Sequence, residues 1–171
     1  DLSMQWQGVP MRNACRYFPA VPVAQDSAIS SRLRQAGFVL VGQSNSPENG
    51  WSLSTEPALY GVTRNPWNNK VVPGGSSGGS AVAVASGMVP LADASDGAGS
   101  IRVPAANNGL IGLKPSRGRV TLGPDQVDYW YGGAVFLCIS RSVRDTAAYL
   151  DAVSGALPGE PYALQKPDRS Y

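Results

Sequence analysis

Two glycine- and serine-rich segments carry the residues of this sequence that could do chemistry. The first runs from Gly74 to Ser80 (GGSSGGS) and the second from Asp96 to Ala106 (DGAGSIRVPAA). A glycine-rich turn that ends in serine exposes consecutive backbone N–H groups, which can point at one oxygen and stabilise a developing oxyanion. The serine hydroxyl beside such a turn is a candidate nucleophile. The alternative is structural, because turns of this composition also begin helices.

The complete absence of histidine limits the base that such a serine can use. Histidine is the usual general base near neutral pH and the commonest metal ligand. A Ser-His-Asp triad and a histidine-containing zinc site are therefore excluded within this sequence, and the formal G-x-S-x-G match at 75–79 is not a nucleophile elbow. The remaining base of suitable strength is a desolvated lysine with a lowered pKa, which can act through an intermediate hydroxyl. Without histidine we expect no metal, and without a phosphate-binding glycine motif we expect no cofactor.

Composition and charge exclude several classes of partner. The 171 residues carry a formal net charge of +2 and only 15% charged residues, without a basic run that would indicate nucleic acid or an anionic membrane. No apolar run approaches the roughly 20 residues of a membrane span. The two cysteines, Cys15 and Cys138, lie far apart in the sequence. We expect both to be buried thiols in a reduced, cytoplasmic protein.

Segments typical of helices and strands alternate along the chain, which indicates the α/β class. Helices are predicted where a capping residue precedes apolar residues at helical spacing and a glycine follows them. The last helix, predicted from Ser142 to Gly155, should bury one face that carries Val143, Ala147, Leu150 and Val153. In chain order we expect a helix from Asp26 or Ser27 to Gly37, a strand at 38–41, a long ordered loop over 43–73, a helix over 77–87, strands at 89–92 and 134–139, and a helix from Ser142 to Gly155.

The two glycine- and serine-rich segments resemble the signature region of the amidase signature family. The resemblance extends from Pro73 to Val120 and includes GLIGLKPSRGRV at its end. It continues outside this region in GQSNSPE at 42–48, YGVTRNPW at 60–67 and SVRD at 142–145. The resemblance implies an α/β fold with a mixed β-sheet core covered by helices. It further implies that residues 1–171 are the central segment of a single, longer domain, truncated at both ends.

The resemblance also implies a Ser–cis-Ser–Lys catalytic group. Ser100 matches the nucleophile that becomes acylated, and Ser76 matches the serine that follows a cis peptide bond and relays the proton. Asp1 matches the residue after the family's lysine, so the base is expected just before Asp1. The backbone N–H groups of Gly97, Ala98, Gly99 and Ser100 would form the oxyanion hole, and Asp96 and Arg102 would support that loop. Ala98 departs from the family's more usual glycine, and its methyl group would be strained if this position had a positive φ.

The function implied by the resemblance is hydrolysis of a small-molecule carboxylic amide, linear or cyclic, through an acyl-enzyme on Ser100. The segment STEPALYG at 54–61 is more similar to general amidases and 6-aminohexanoate cyclic dimer hydrolases than to the alternative, the glutaminase subunit of a tRNA-dependent amidotransferase. A second alternative is a degenerate, non-catalytic member that serves as a scaffold. A homodimer is compatible with the resemblance. The isolated segment is expected to be inactive because it lacks the lysine.

Overall fold

The computed structural model, which describes residues 4–126 and 128–171, contains both helices and strands. The α/β class predicted from the sequence is confirmed. The match of Asp1 to the residue after the family's lysine lies outside the described residues. The elements in chain order are α1 (Ala28–Gln35), a short 3-10 helix (Glu48–Gly50), α2 (Gly78–Ala85), β1 (Leu91–Asp96), α3 (Arg102–Asn107), β2 (Ile111–Gly112), β3 (Val135–Ser140) and α4 (Val143–Val153).

The three strands form one sheet in the order β1-β3-β2, with β3 in the centre. Every residue of β3 is buried, as expected for a continuous apolar run at the middle of a sheet. The register pairs Leu91 with Ser140 and Asp96 with Val135, and both strand pairs are antiparallel. The mixed pairing that the resemblance implies does not occur between these three strands of the described chain.

Helices surround the sheet and close the core around β3. α2 packs on β1 and β3, α4 packs on β3, and α1 packs on α4. The approach of α2 to its surroundings is unusually close because the helix is built from small residues. A Cβ atom added to Gly79 would lie 2.3 Å from the backbone nitrogen of Asn45. The Ser80 hydroxyl donates a 2.7 Å hydrogen bond to the carbonyl oxygen of Asp93 in β1.

Serine caps begin α1 and α4, as the sequence predicts. The Ser27 hydroxyl accepts from the N–H of Ser30, and the Ser142 hydroxyl accepts from the N–H of Asp145. Each bond satisfies one of the backbone donors that a helix leaves free at its first turn. The sequence therefore locates both helix starts to within a residue.

The buried face of α4 differs in part from the predicted one. Leu150 and Val153 are buried as expected, but Val143 is 70% exposed. Thr146 takes its place on the buried face, where its hydroxyl shares a 2.8 Å hydrogen bond with that of Ser140. A hydrogen-bonded threonine can be buried at low cost, and a pattern of apolar residues alone does not identify it.

The predicted strand at 38–41 is wrong. This segment is irregular, and Val39 and Val41 are 82% and 75% exposed. An apolar run becomes a strand only where another strand offers backbone partners, and none of the described strands pairs with it. The strand predicted at 89–92 is confirmed with different bounds, since β1 begins at Leu91 and continues to Asp96.

α3 was not predicted from the sequence, although it follows the second glycine- and serine-rich segment directly. Its N-cap residue, Ile101, offers no side-chain oxygen. Asp96, at the end of β1, instead accepts hydrogen bonds from the N–H groups of Ile101 and Arg102. Because the capping group lies five residues upstream, the usual local signal for a helix start is missing here.

Candidate active site

The fold brings the two glycine- and serine-rich segments together. Ser76 lies just before α2 and follows a cis peptide bond from Gly75, whereas Ser100 lies between β1 and α3. The N–H of Ser77 donates to the carbonyl oxygen of Ser100 at 3.3 Å. The Ser77 hydroxyl accepts from the N–H of Ser95 at 3.2 Å. These bonds hold the turn before α2 against the end of β1.

Both predicted catalytic serines line the same cavity, whose volume is about 130 Å³. The two residues are almost completely buried, with 2% of Ser76 and 7% of Ser100 exposed. Other residues of the lining are the polar Asn13 and Asn49 and the aromatic Tyr129 and Trp130. Two serines that lie 24 residues apart in the sequence therefore face one common space.

Asp96 is the centre of the loop that carries Ser100. Its carboxylate, which is fully buried, accepts a 2.8 Å hydrogen bond from the N–H of Gly99 and a 3.1 Å bond from the N–H of Ile101. Arg102 donates a third backbone N–H to this carboxylate, and its guanidinium donates two further hydrogen bonds in a bidentate arrangement, both at 2.9 Å. Burial by itself raises the pKa of Asp96, but the hydrogen bonds from Arg102 and the backbone outweigh it and lower that pKa below its ordinary value.

The predicted oxyanion-hole groups are not equally available. The N–H of Gly99 donates to Asp96, and the place of Gly99 in the hole stays a prediction. No hydrogen bond joins the N–H groups of Gly97, Ala98 or Ser100 to another residue in the described part of the chain. The positive φ of this loop, 122°, falls on Gly99, and Ala98 is not among the residues with positive φ. The methyl group of Ala98 therefore does not strain the loop.

No lysine of the described chain lines the cavity. Lys70 and Lys166 are exposed on the surface, and the ammonium group of Lys114 donates to the carbonyl oxygen of Pro115 at 3.0 Å. A base for Ser76 is thus not supplied by any of the three lysines of this chain. Within residues 4–126 and 128–171 no group of three or more acidic, cysteine or histidine side chains could hold a metal ion, and no helix has the length and apolarity to cross a membrane.

Two residues of the site were not predicted from the sequence. Ser77 looks like part of a helix start, but its hydroxyl bonds to β1 and does not cap α2. Trp130 lies against the loop of Ser100, where a Cβ atom added to Gly97 would be 2.7 Å from the indole carbon Cζ3. The only signal for Trp130 is weak: a cluster of aromatic residues (DYWYGG) is unusual in a polar, glycine-containing turn.

Comparison with known proteins identifies the family. The family model described as Amidase matches residues 3–171. The 6-aminohexanoate-cyclic-dimer hydrolase of Paenarthrobacter ureafaciens is 48% identical over 148 residues, which are 85% of this chain and 30% of that protein. The chain thus spans about a third of the length of this curated relative.

Solved structures agree with this assignment. A substrate complex of 6-aminohexanoate cyclic dimer hydrolase has a TM-score of 0.94 and 41% identity, over 99% of this chain and 36% of the other. One subunit of the glutamyl-tRNA(Gln) amidotransferase of Thermotoga maritima has a TM-score of 0.84 and 34% identity, over 96% of this chain and 36% of the other. The chain belongs to the amidase signature family.

Proposed function

We propose that the protein containing this chain is an amidase that hydrolyses the C–N bond of a small-molecule carboxylic amide. One observation carries the proposal: Ser76, Gly97 and Ser100 line one cavity, and the backbone N–H groups of Gly97 and Ser100 make no hydrogen bond to a described residue. A nucleophile, a relay and an oxyanion site in one small cavity are the parts that acyl transfer needs.

In the proposed mechanism the Ser100 hydroxyl oxygen attacks the amide carbonyl carbon. Its proton passes to the Ser76 hydroxyl, which gives its own proton to the lysine expected just before Asp1. The carbonyl oxygen becomes an oxyanion, and the N–H groups of Gly97, Ala98 and Ser100 stabilise it. The tetrahedral intermediate then expels the amine, which takes the proton back from the lysine through Ser76. Water releases the acyl group by the reverse sequence, giving a carboxylic acid and restoring Ser100.

Asp96 and Arg102 act in this proposal as positioning residues. Their hydrogen bonds fix the backbone on both sides of Ser100, since Gly99 precedes the serine and Ile101 follows it. A preorganised hole needs such fixed dipoles, because N–H groups that must reorient during the reaction stabilise the oxyanion less.

The two free cysteines support a reducing compartment such as the cytoplasm.

Labelling by a fluorophosphonate probe and release of ammonia from primary amides test the proposal in the full-length protein. We expect the wild type to be labelled at Ser100, the Ser100→Ala variant to be unlabelled and inactive, and Ser76→Ala to lose at least about a hundredfold in kcat. Ser116→Ala is the control, since Ser116 is exposed and outside the cavity. Full hydrolysis by Ser100→Ala would refute the mechanism.

The same experiment separates the alternatives. A non-catalytic scaffold would not be labelled at Ser100 and would release no ammonia. A glutaminase subunit would be labelled but would require partner subunits for its amidotransferase reaction, and it would prefer glutamine to simple amides. We favour a stand-alone amidase because both identity and TM-score are higher for the cyclic dimer hydrolase than for the amidotransferase protein.

A further inference from the structure

An aromatic cluster stands at one side of the cavity of Ser100 and has no part in the proposed catalysis. Trp130 is its central member, with its ring centroid 5.3 Å from that of Trp51 and 6.3 Å from that of Tyr129. The indole lies so close to Gly97 that both Cζ3 and Cε3 would be within 2.8 Å of an added Cβ. The ring is therefore in contact with the loop proposed to hold the oxyanion.

Trp130 is not an ordinary core residue. It is 41% exposed, and part of its surface lines the cavity. Its backbone has φ of 55°, a left-handed conformation that is uncommon and unfavourable for a bulky side chain. Tyr131, the next residue, has a similar φ of 53°, so this conformation belongs to the turn, and it is the contact of the indole with the cavity that distinguishes Trp130.

Much of the remaining cavity lining is polar. Gln5, Asn13 and Asn49 contribute to it, and the side-chain oxygen of Asn13 is buried without a hydrogen-bond partner in the described structure. A bound amide would thus meet hydrogen-bonding groups as well as the aromatic surface of Trp130. An apolar substituent can lie against that aromatic surface, which Phe136 of the lining extends, because there it leaves no polar group buried and unsatisfied.

We propose that Trp130 is a specificity-determining residue, whose indole packs against an apolar substituent next to the scissile carbonyl. The inference rests on the proposed function and narrows its substrate class to carboxylic amides with an aryl or alkyl-chain group on the acyl or the amine side. Because the ring lies against Gly97, its contact with the substrate is close to the reacting carbon. Such contact affects kcat/KM for large substrates and leaves small ones nearly unaffected.

Three amides test the proposal with the full-length protein. Acetamide has no large substituent, benzamide adds a ring on the acyl side, and acetanilide adds one on the amine side. We expect Trp130→Ala to lower the kcat/KM ratio of benzamide or acetanilide to acetamide about tenfold, which corresponds to about 1.4 kcal/mol. The matched control is Tyr131→Ala, because Tyr131 is the next residue, is 92% exposed and does not line the cavity.

Each outcome has one meaning. A fall in the benzamide ratio places the apolar group on the acyl side, and a fall in the acetanilide ratio places it on the amine side. Unchanged ratios with active enzyme overturn the role of Trp130, whereas a wild type that hydrolyses no amide and is not labelled at Ser100 overturns the proposed function. If Trp130→Ala does not fold by circular dichroism, Trp130→Phe keeps a smaller ring and should lower the same ratio about threefold; an unchanged ratio in that variant overturns the inference too.

Discussion

Replacing Asp96 with asparagine should destabilise the protein far more than the same change at a surface aspartate. The carboxylate accepts five hydrogen bonds, two at Oδ1 and three at Oδ2. An asparagine side chain keeps only one oxygen. Its NH₂ group replaces the second carboxylate oxygen and faces the N–H groups that donated to that oxygen. At least one backbone N–H, that of Gly99 or those of Ile101 and Arg102, then loses its acceptor in a fully buried position.

The expected magnitude follows from these lost bonds. A buried donor without a partner costs about 1–3 kcal/mol, and hydrogen bonds to a charged group are worth about 1.5–3 kcal/mol each. The guanidinium of Arg102 is 53% exposed and can bind water, which reduces its share. We therefore expect Asp96→Asn to lower the free energy of unfolding in urea by about 2–4 kcal/mol and to lower amide hydrolysis with it.

The control is Asp26→Asn, because Asp26 also binds an arginine with both oxygens, Arg34 at 3.0 and 3.2 Å. The Asp26 side chain is 16% exposed, whereas that of Asp96 is fully buried, and Asp26 accepts only one backbone N–H, that of Gln7 at 2.7 Å, so its replacement should cost about 1 kcal/mol. Equal losses in the two variants, or a loss below about 0.5 kcal/mol for Asp96→Asn, would show that the buried hydrogen bonds of Asp96 do not stabilise the fold as described.

The lowered pKa of Asp96 adds a pH dependence to this prediction. The folded pKa lies below the unfolded one, so the ionised group stabilises the fold above the unfolded pKa of about 4. That contribution is lost as the pH falls through the folded pKa. The difference in stability between the wild type and Asp96→Asn should shrink below about pH 4, and a constant difference from about pH 7 to about pH 3 would contradict the assignment.

Two further predictions concern close packing and thiol burial. Gly79→Ala should lower the free energy of unfolding by about 3 kcal/mol, since its Cβ would meet the Asn45 backbone at 2.3 Å. The control is Gly42→Ala, which has open space around its Cβ and should change that free energy by less than about 1 kcal/mol. Similar losses in the two variants would show that α2 can move away from Asn45. Burial raises the pKa of the Cys138 thiol to about 12, so iodoacetamide at about pH 8 should alkylate Cys138 only in urea, as read by peptide mass spectrometry. Rapid alkylation in the native protein, at the rate of the half-buried Cys15, would contradict this burial.

The elements next to the site could be predicted because their signals are local. Ser27 and Ser142 cap helices with their own hydroxyl groups, and the apolar run of β3 is buried as a central strand. The expectation that both cysteines are buried is confirmed for Cys138 and wrong in degree for Cys15, which is half-buried.

The remaining features depend on contacts between distant residues. The Asp96 carboxylate replaces a local cap for α3, and it also accepts a hydrogen bond from the N–H of Gly99. The position of Trp130 against Gly97 joins residues 33 apart in the sequence. No spacing rule reports such a contact, since it exists only after β1 and β3 have paired.

The exposed side chains of Val39 and Val41 should make the isolated 171-residue chain prone to self-association in solution. Val39 and Val41 are two residues apart on an irregular segment. No strand of the described chain pairs with the backbone N–H and C=O groups of this segment. An exposed apolar stretch rich in β-branched residues can pair with the same stretch of another molecule, and proteins usually prevent such pairing with charge or proline. Self-association should therefore rise with concentration, and Val39→Lys is the change best suited to prevent it.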